Sequence, residues 1–156
     1  MADQRPSTLT SISGSGGKAS LASRLCETRK HSLALAEPLS PEDMVVQAMD
    51  DASPTKWHLG HVTWFFETFV LIPHLPGYRV FDEDFAYCFN SYYESEGPRQ
   101  PRPFRGMLTR PATKAVLDYR AHADEALDKL AAQGRLEQDE IARLVEIGIN
   151  HEQQHQ

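Results

Sequence analysis

His61, His151 and His155 are the residues whose types and spacing could do chemistry, and the last two arrive together in the closing HEQQH. Four residues apart on a helix, His151 and His155 stack one above the other at a spacing that can chelate one ion. They continue the apolar stripe of Ile141, Leu144 and Gly148, so they turn toward a core rather than toward solvent. The same spacing also serves hydrogen-bonded core histidines or a surface pair. His61 lies on the stripe of Trp57 and Trp64 in a second apolar segment, which allows a face of three imidazoles. His58, three residues earlier, is the rival ligand, and the stripe favours His61 only modestly. Three neutral nitrogen ligands suit iron(II), zinc, nickel or cobalt and leave coordination positions open. HEQQH also matches the H-E-x-x-H pattern in which the glutamate is a general base beside zinc.

A second candidate group is basic. Arg79, Arg99, Arg102, Arg105 and Arg110 fall in one stretch, and Arg102 and Arg105 flank Pro103 and Phe104, which stiffen the turn between them. Guanidinium groups held this way can receive a carboxylate bidentately. Asp82, Glu83, Asp84, Glu94 and Glu96 make the stretch locally neutral, so solvated ion pairs are the plainer reading.

Helices must position these groups. Leu21, Leu25, Thr28 and Leu35 give a loose stripe over 18–36, with Arg and Lys on its other faces. Ser40 followed by Pro41, Glu42 and Asp43 is an N-cap with proline at the first helical position, predicting a short helix that ends near Asp50. The segment 55–72 is the most apolar and is stopped by Pro73 and Pro76. Periodicity is lost over 74–110, a stretch too long to be idle in a small domain. Residues 57–104 nevertheless carry 13 of the chain's 14 aromatic side chains. Helices follow over 112–132 and from Glu137 to the end. The sum is an all-α domain of four main helices, 18–156, with a long aromatic- and arginine-rich loop between the second and third. The polar segment 1–17 reads as a disordered tail.

A net charge of −6 lacks the Lys and Arg excess of a nucleic-acid-binding surface. No apolar run reaches the roughly 20 residues of a membrane span, and the start has no apolar signal core. Cys26 and Cys88 read as free thiols of a cytoplasmic protein.

Four motifs in one order, PLSPEDMVVQAMDDASPTKWHLGHVTWFFETFVL, FNSYYES, RPFRGMLTRP and HEQQHQ, resemble the N-terminal DinB-like domain of EgtB-type enzymes. These are the non-haem-iron sulfoxide synthases of ergothioneine biosynthesis, and the resemblance runs from Ser32 to the last residue. It implies a DinB-like four-helix bundle holding Fe2+ through His61, His151 and His155. It further implies that Arg102 and Arg105 engage the carboxylates of the thiol substrate, and that Gln154 approaches the histidine-derived one. No catalytic side chain is assigned. The implied reaction joins hercynine to γ-glutamylcysteine or cysteine with dioxygen, giving a sulfoxide.

That family continues its last helix past HEQQH and adds a C-terminal domain of the formylglycine-generating-enzyme type. The expectation is therefore a chain cut within its final helix, inactive by itself, and open to self-association through the surface a second domain would cover. Two other classes fit the residues: a stand-alone DinB-like zinc or nickel hydrolase or thiol transferase with Glu152 or a water as base, and a non-catalytic helical partner module.

Overall fold

Ser20 opens the first helix as its side chain accepts a hydrogen bond from the Ser23 amide at 3.2 Å. The computed structural model describes residues 19–91 and 97–156. The tail 1–17 and the tyrosines and acids at 92–96 of the FNSYYES region lie outside the described residues. Among the described residues there are six α-helices: α1 (Leu21–Ala36), α2 (Thr55–Phe66), α3 (Ile72–His74), α4 (Phe85–Phe89), α5 (Thr113–Ala132) and α6 (Asp139–Gln154). Two 3-10 turns, Asp43–Val45 and Arg102–Met107, and a π-turn, Glu67–Leu71, complete the regular structure among the described residues.

The fold is all-α, as the periodicity indicates, but the four-helix-bundle expectation is corrected by the six helices present. One source of the difference is α4, which stands inside the expected loop. Phe85, Cys88 and Phe89 bury one side of it, but five residues are too few to show a 3.6-residue period. The other is the long apolar segment. It stays helical from Thr55 to His74, yet the Ile72 amide bonds to the Glu67 carbonyl five residues back, which separates α2 from α3 by a π-turn. Pro73 sits inside α3 rather than ending the segment. The helix expected after Ser40 shrinks to one turn. Ser40 and Asp43 do cap each other reciprocally, at 3.2 and 2.9 Å. Val45 and Val46 then face solvent and supply no buried side to extend it.

The core has two parts. α2 and the π-turn pack Phe65, Phe66, Val70 and Leu71 against α5 and α6, and Trp57, Trp64, Phe85 and Phe89 form a second cluster with Val116 and Tyr119. Glu67, buried in the π-turn, accepts hydrogen bonds from Tyr78 and Tyr119 at 2.6 and 2.5 Å and from the Phe81 amide at 3.2 Å. It thereby ties the chain after α3 onto α5.

Two glycines set how closely the site-bearing helices approach. A Cβ on Gly148 would lie 2.5 Å from the Phe66 ring, and one on Gly60 would lie 2.4 Å from the Phe89 ring. Gly148 thus lets α6 close on α2, and Gly60 lets α4 close on α2. Alanine in a helix interior is ordinarily favoured over glycine by about 0.8–1.0 kcal/mol, whereas overpacking a filled core costs about 1–3 kcal/mol. Gly148→Ala should therefore lower the midpoint of chemical denaturation; a rise would mean that the two helices do not approach this closely.

Candidate metal centre

His61 projects from the middle of α2, and His151 and His155 project from successive turns at the end of α6. One ring nitrogen from each lies within 4.8 Å of the others. The three rings are nearly equidistant, with centroids 4.8–4.9 Å apart, and nearly perpendicular in pairs, at 75–85°. His61 Nε2 and His151 Nε2 are 3.1 Å apart. With metal–nitrogen bonds of about 2.1 Å, two ligands at right angles would be about 3.0 Å apart.

The hydrogen bonds around the rings suit the same reading. His61 Nδ1 donates to the Phe89 carbonyl at 2.6 Å, which leaves Nε2 as a lone pair pointing into the cluster. His155 Nδ1 is engaged from outside by His58 Nδ1 at 2.8 Å. His151 Nδ1 is buried without a partner. Burial is the first cause of depressed basicity in all of them. His61 falls to about 2, with the neighbouring imidazoles adding to the effect. His155 and His58 fall to about 4, and the charges of Arg105 and Arg102 contribute to both. Burial also lowers His151. The rings are therefore neutral at neutral pH, and no proton has to leave before a metal binds. Below the ordinary histidine value of 6.5, the unfolded chain takes up protons that these rings refuse, so their contribution opposes folding in acid. A tight group of lone pairs with an orphaned ring nitrogen fits a bound transition-metal ion.

Trp57 joins this cluster to the arginines. Its ring stacks on His61 at 4.5 Å and 17°, and its indole N–H donates to the Cys88 carbonyl at 2.8 Å. The Arg105 guanidinium lies over the same indole, 3.6 Å from its centroid. Arg105 is only 4% exposed and donates to the hydroxyls of Ser53 and Ser91, at 2.9 and 3.2 Å. Its Nε has no partner, and among the described residues no carboxylate pairs with it. Burial, with the charges of Arg102 and Arg99, pushes its pKa down to about 10. Arg102 is half-buried on the same 3-10 turn, and Gln154 is exposed near the end of α6.

Gln47, which sequence reasoning missed, clamps this turn: its amide donates to the Arg102 carbonyl at 2.8 Å and accepts from the Gly106 amide at 2.6 Å. Gly106 was a usable signal, because a Cβ there would meet Gln47 at 2.6 Å.

Glu152 takes its hydrogen bonds from other helices rather than from the histidines. It is 1% exposed and accepts from Ser32 at 2.5 Å, from Arg29 at 3.1 Å and from Arg120. Arg29 also holds Asp124 at 2.5 Å, and Arg120 donates to the Arg29 carbonyl at 2.8 Å. Burial alone would raise the Glu152 pKa, but the charges of Arg29 and Arg120 and the hydrogen bonds from Ser32 and Arg120 more than reverse it. A carboxylate held this way is unavailable as a general base. Arg29, placed on an outer face by its charge, is 3% exposed, whereas Leu35 of the expected stripe is 48% exposed.

A model of the DinB superfamily matches residues 24–156. No curated protein matches the chain. Cys26 and Cys88 are free thiols, and no helix among the described residues is long and apolar enough to cross a membrane.

Removing one partner of a buried ion pair leaves uncompensated charge and costs about 3–5 kcal/mol. Glu152→Ala should therefore lower stability by that order in urea unfolding. Because the folded carboxylate titrates below its ordinary value, the Glu152 contribution is present above the unfolded carboxylate range and is lost as pH falls through the depressed folded value. The stability difference between wild type and Glu152→Ala should accordingly narrow in acid; a difference independent of pH would contradict the charged pairing.

Proposed function

The chain belongs to the DinB superfamily, and from that premise we propose that it is the iron-binding domain of an oxygen-dependent enzyme that joins hercynine to a cysteine-type thiol as a sulfoxide. The observation that carries this reading is the continuous stack of Arg105, Trp57 and His61. It sets a buried cation, with no carboxylate partner among the described residues, beside three imidazoles, an arrangement that suits an anionic substrate and a metal ion at one pole of the fold. The order of the motifs supports the same assignment, with RPFRG supplying the arginines and HEQQH supplying two of the ligands.

In this reading His61, His151 and His155 hold iron(II), and the bound metal supplies activation of dioxygen and acidification of the thiol. Arg102 and Arg105 bind the thiol's carboxylates and orient its sulfur toward the histidines. Gln154 approaches hercynine from the rim of α6. Trp57 and the aromatic cluster behind it keep water from the inner side of the site. Overall, the imidazole C–H and the thiol S–H are broken and C–S and S–O bonds form. Dioxygen is reduced by four electrons to the sulfoxide oxygen and one water. A second, formylglycine-generating-enzyme-type domain completes the hercynine pocket, and the thiol chemistry belongs to a reducing cytoplasm. A glutamate-assisted hydrolase is disfavoured by the burial of Glu152 between Arg29 and Arg120.

His61→Ala should abolish stoichiometric iron(II) binding in anaerobic titration while the helical circular dichroism is retained. Equal metal content in the variant and wild type would remove His61 from the centre. Arg102→Ala and Arg105→Lys should each weaken thiol binding by about ten- to a hundredfold, the effect of a lost charge-assisted hydrogen bond of roughly 1.5–3 kcal/mol, with iron content unchanged. Normal thiol affinity with impaired hercynine binding would reverse the assignment of this pole.

A further inference from the structure

His58 is the residue of the site that neither the stripe arithmetic nor the three-ligand cluster assigns. It leaves α2 almost one turn before His61, and its Nδ1 lies 2.8 Å from His155 Nδ1. Among the described residues it is the one side chain within hydrogen-bond reach of the His155 ring. Two rings meeting through Nδ1 must divide the roles of donor and acceptor. His58 thus reaches from α2 to the last turn of α6.

The surroundings explain why that contact matters. A cavity of about 170 Å³ flanks His58 and His155, and Leu35, Leu39, Leu59 and Val62 supply much of its wall. Without His58, the His155 Nδ1 would face this largely apolar space. His61 has a fixed outer partner in the Phe89 carbonyl. His155 has His58 as its outer partner among the described residues.

We propose that His58 is the positioning residue of His155. It accepts the His155 Nδ1 proton, and so fixes the tautomer that presents His155 Nε2 to a metal ion beside His61 and His151. The inference rests on the metal-centre reading and goes beyond it by giving His58 a role without making it a ligand. Outer hydrogen-bond partners of ligating histidines fix ring orientation, and their loss costs about 10–100-fold in metal affinity.

The test is anaerobic cobalt(II) titration of the full chain, following the visible absorption of the bound ion, in wild type, His58→Phe, His58→Asn and His61→Ala. His58→Phe removes the acceptor, whereas the asparagine amide can reproduce a hydrogen bond at the Nδ1 position. The expected result is about 10–100-fold weaker binding with a changed spectrum in His58→Phe. Affinity should return to within a few fold in His58→Asn, with unchanged helical content in both. Wild-type affinity and spectrum in folded His58→Phe would overturn the proposal while leaving the metal centre intact. Absence of cobalt binding in wild type, or binding unaffected by His61→Ala, would overturn the centre itself and this role with it.

Should His58→Phe fail to fold, the tautomer is readable without a variant. Imidazole 15N shifts of the zinc-loaded wild type should show His155 protonated at Nδ1. Protonation at Nε2 would overturn the proposal.

Discussion

The buried contact of Glu152 with Arg29 and Arg120 fixes where α6 lies, and the candidate site depends on that placement. A carboxylate 1% exposed to solvent is tolerable only when its charge and its lone pairs are both answered. Arg29 comes from α1, Arg120 from α5, and Ser32 from the next turn of α1. Sliding α6 by one residue would turn Glu152 by about 100° and strand three buried charges, a far larger penalty than the loss of any single apolar contact. The register of Glu152 is the register of His151 and His155, because all three share the same two turns. Ion-pair specificity here serves geometry more than stability.

HEQQH therefore works as a two-sided device. One face offers two imidazoles to His61, and the residue between them anchors the adjoining face, about 60° round the helix from His155. The H-E-x-x-H pattern by itself cannot distinguish this from a glutamate that activates water, since both need a helix and the same spacing. What separates them is the direction in which the glutamate finds its partners. Those partners are Arg29 and Arg120, more than thirty residues away in sequence and on other helices.

The histidines were legible because apolar stripes carry direction: Trp57, His61 and Trp64 share one, and Ile141, Gly148 and His151 another. The same periodicity gave ranges of 18–36, 112–132 and Glu137 to the end, close to the α1, α5 and α6 observed. Buried charge was not legible. A charged residue is placed on a solvent face by default, and only a partner from another helix reverses that, so Arg29, Arg120 and Lys56 were missed. Lys56 is 3% exposed and donates to the Leu108 carbonyl at 2.8 Å. The six-helix count escaped for a different reason. α4 is shorter than two periods, and the π-turn at Glu67 exchanges one hydrogen-bond pattern for another without altering the apolar sequence.

Arg105 shows how the two halves of the site can act as one. Its buried cation is stabilised by the face of Trp57 and by two hydroxyl oxygens, but it lacks a counter-charge among the described residues. Such a group is less stable than one paired with a carboxylate, and its depressed pKa expresses that deficit. An anion arriving at this turn relieves the deficit, so part of its binding free energy comes from a cost already present in the fold. The same positive charge lowers the basicity of His58, His61 and His155. It also opposes a second cation at the cluster. Neutralising Arg105 with an anion would remove that repulsion, so anion and metal binding should favour each other. The coupling is electrostatic and acts across a stack of two rings, without any change of backbone.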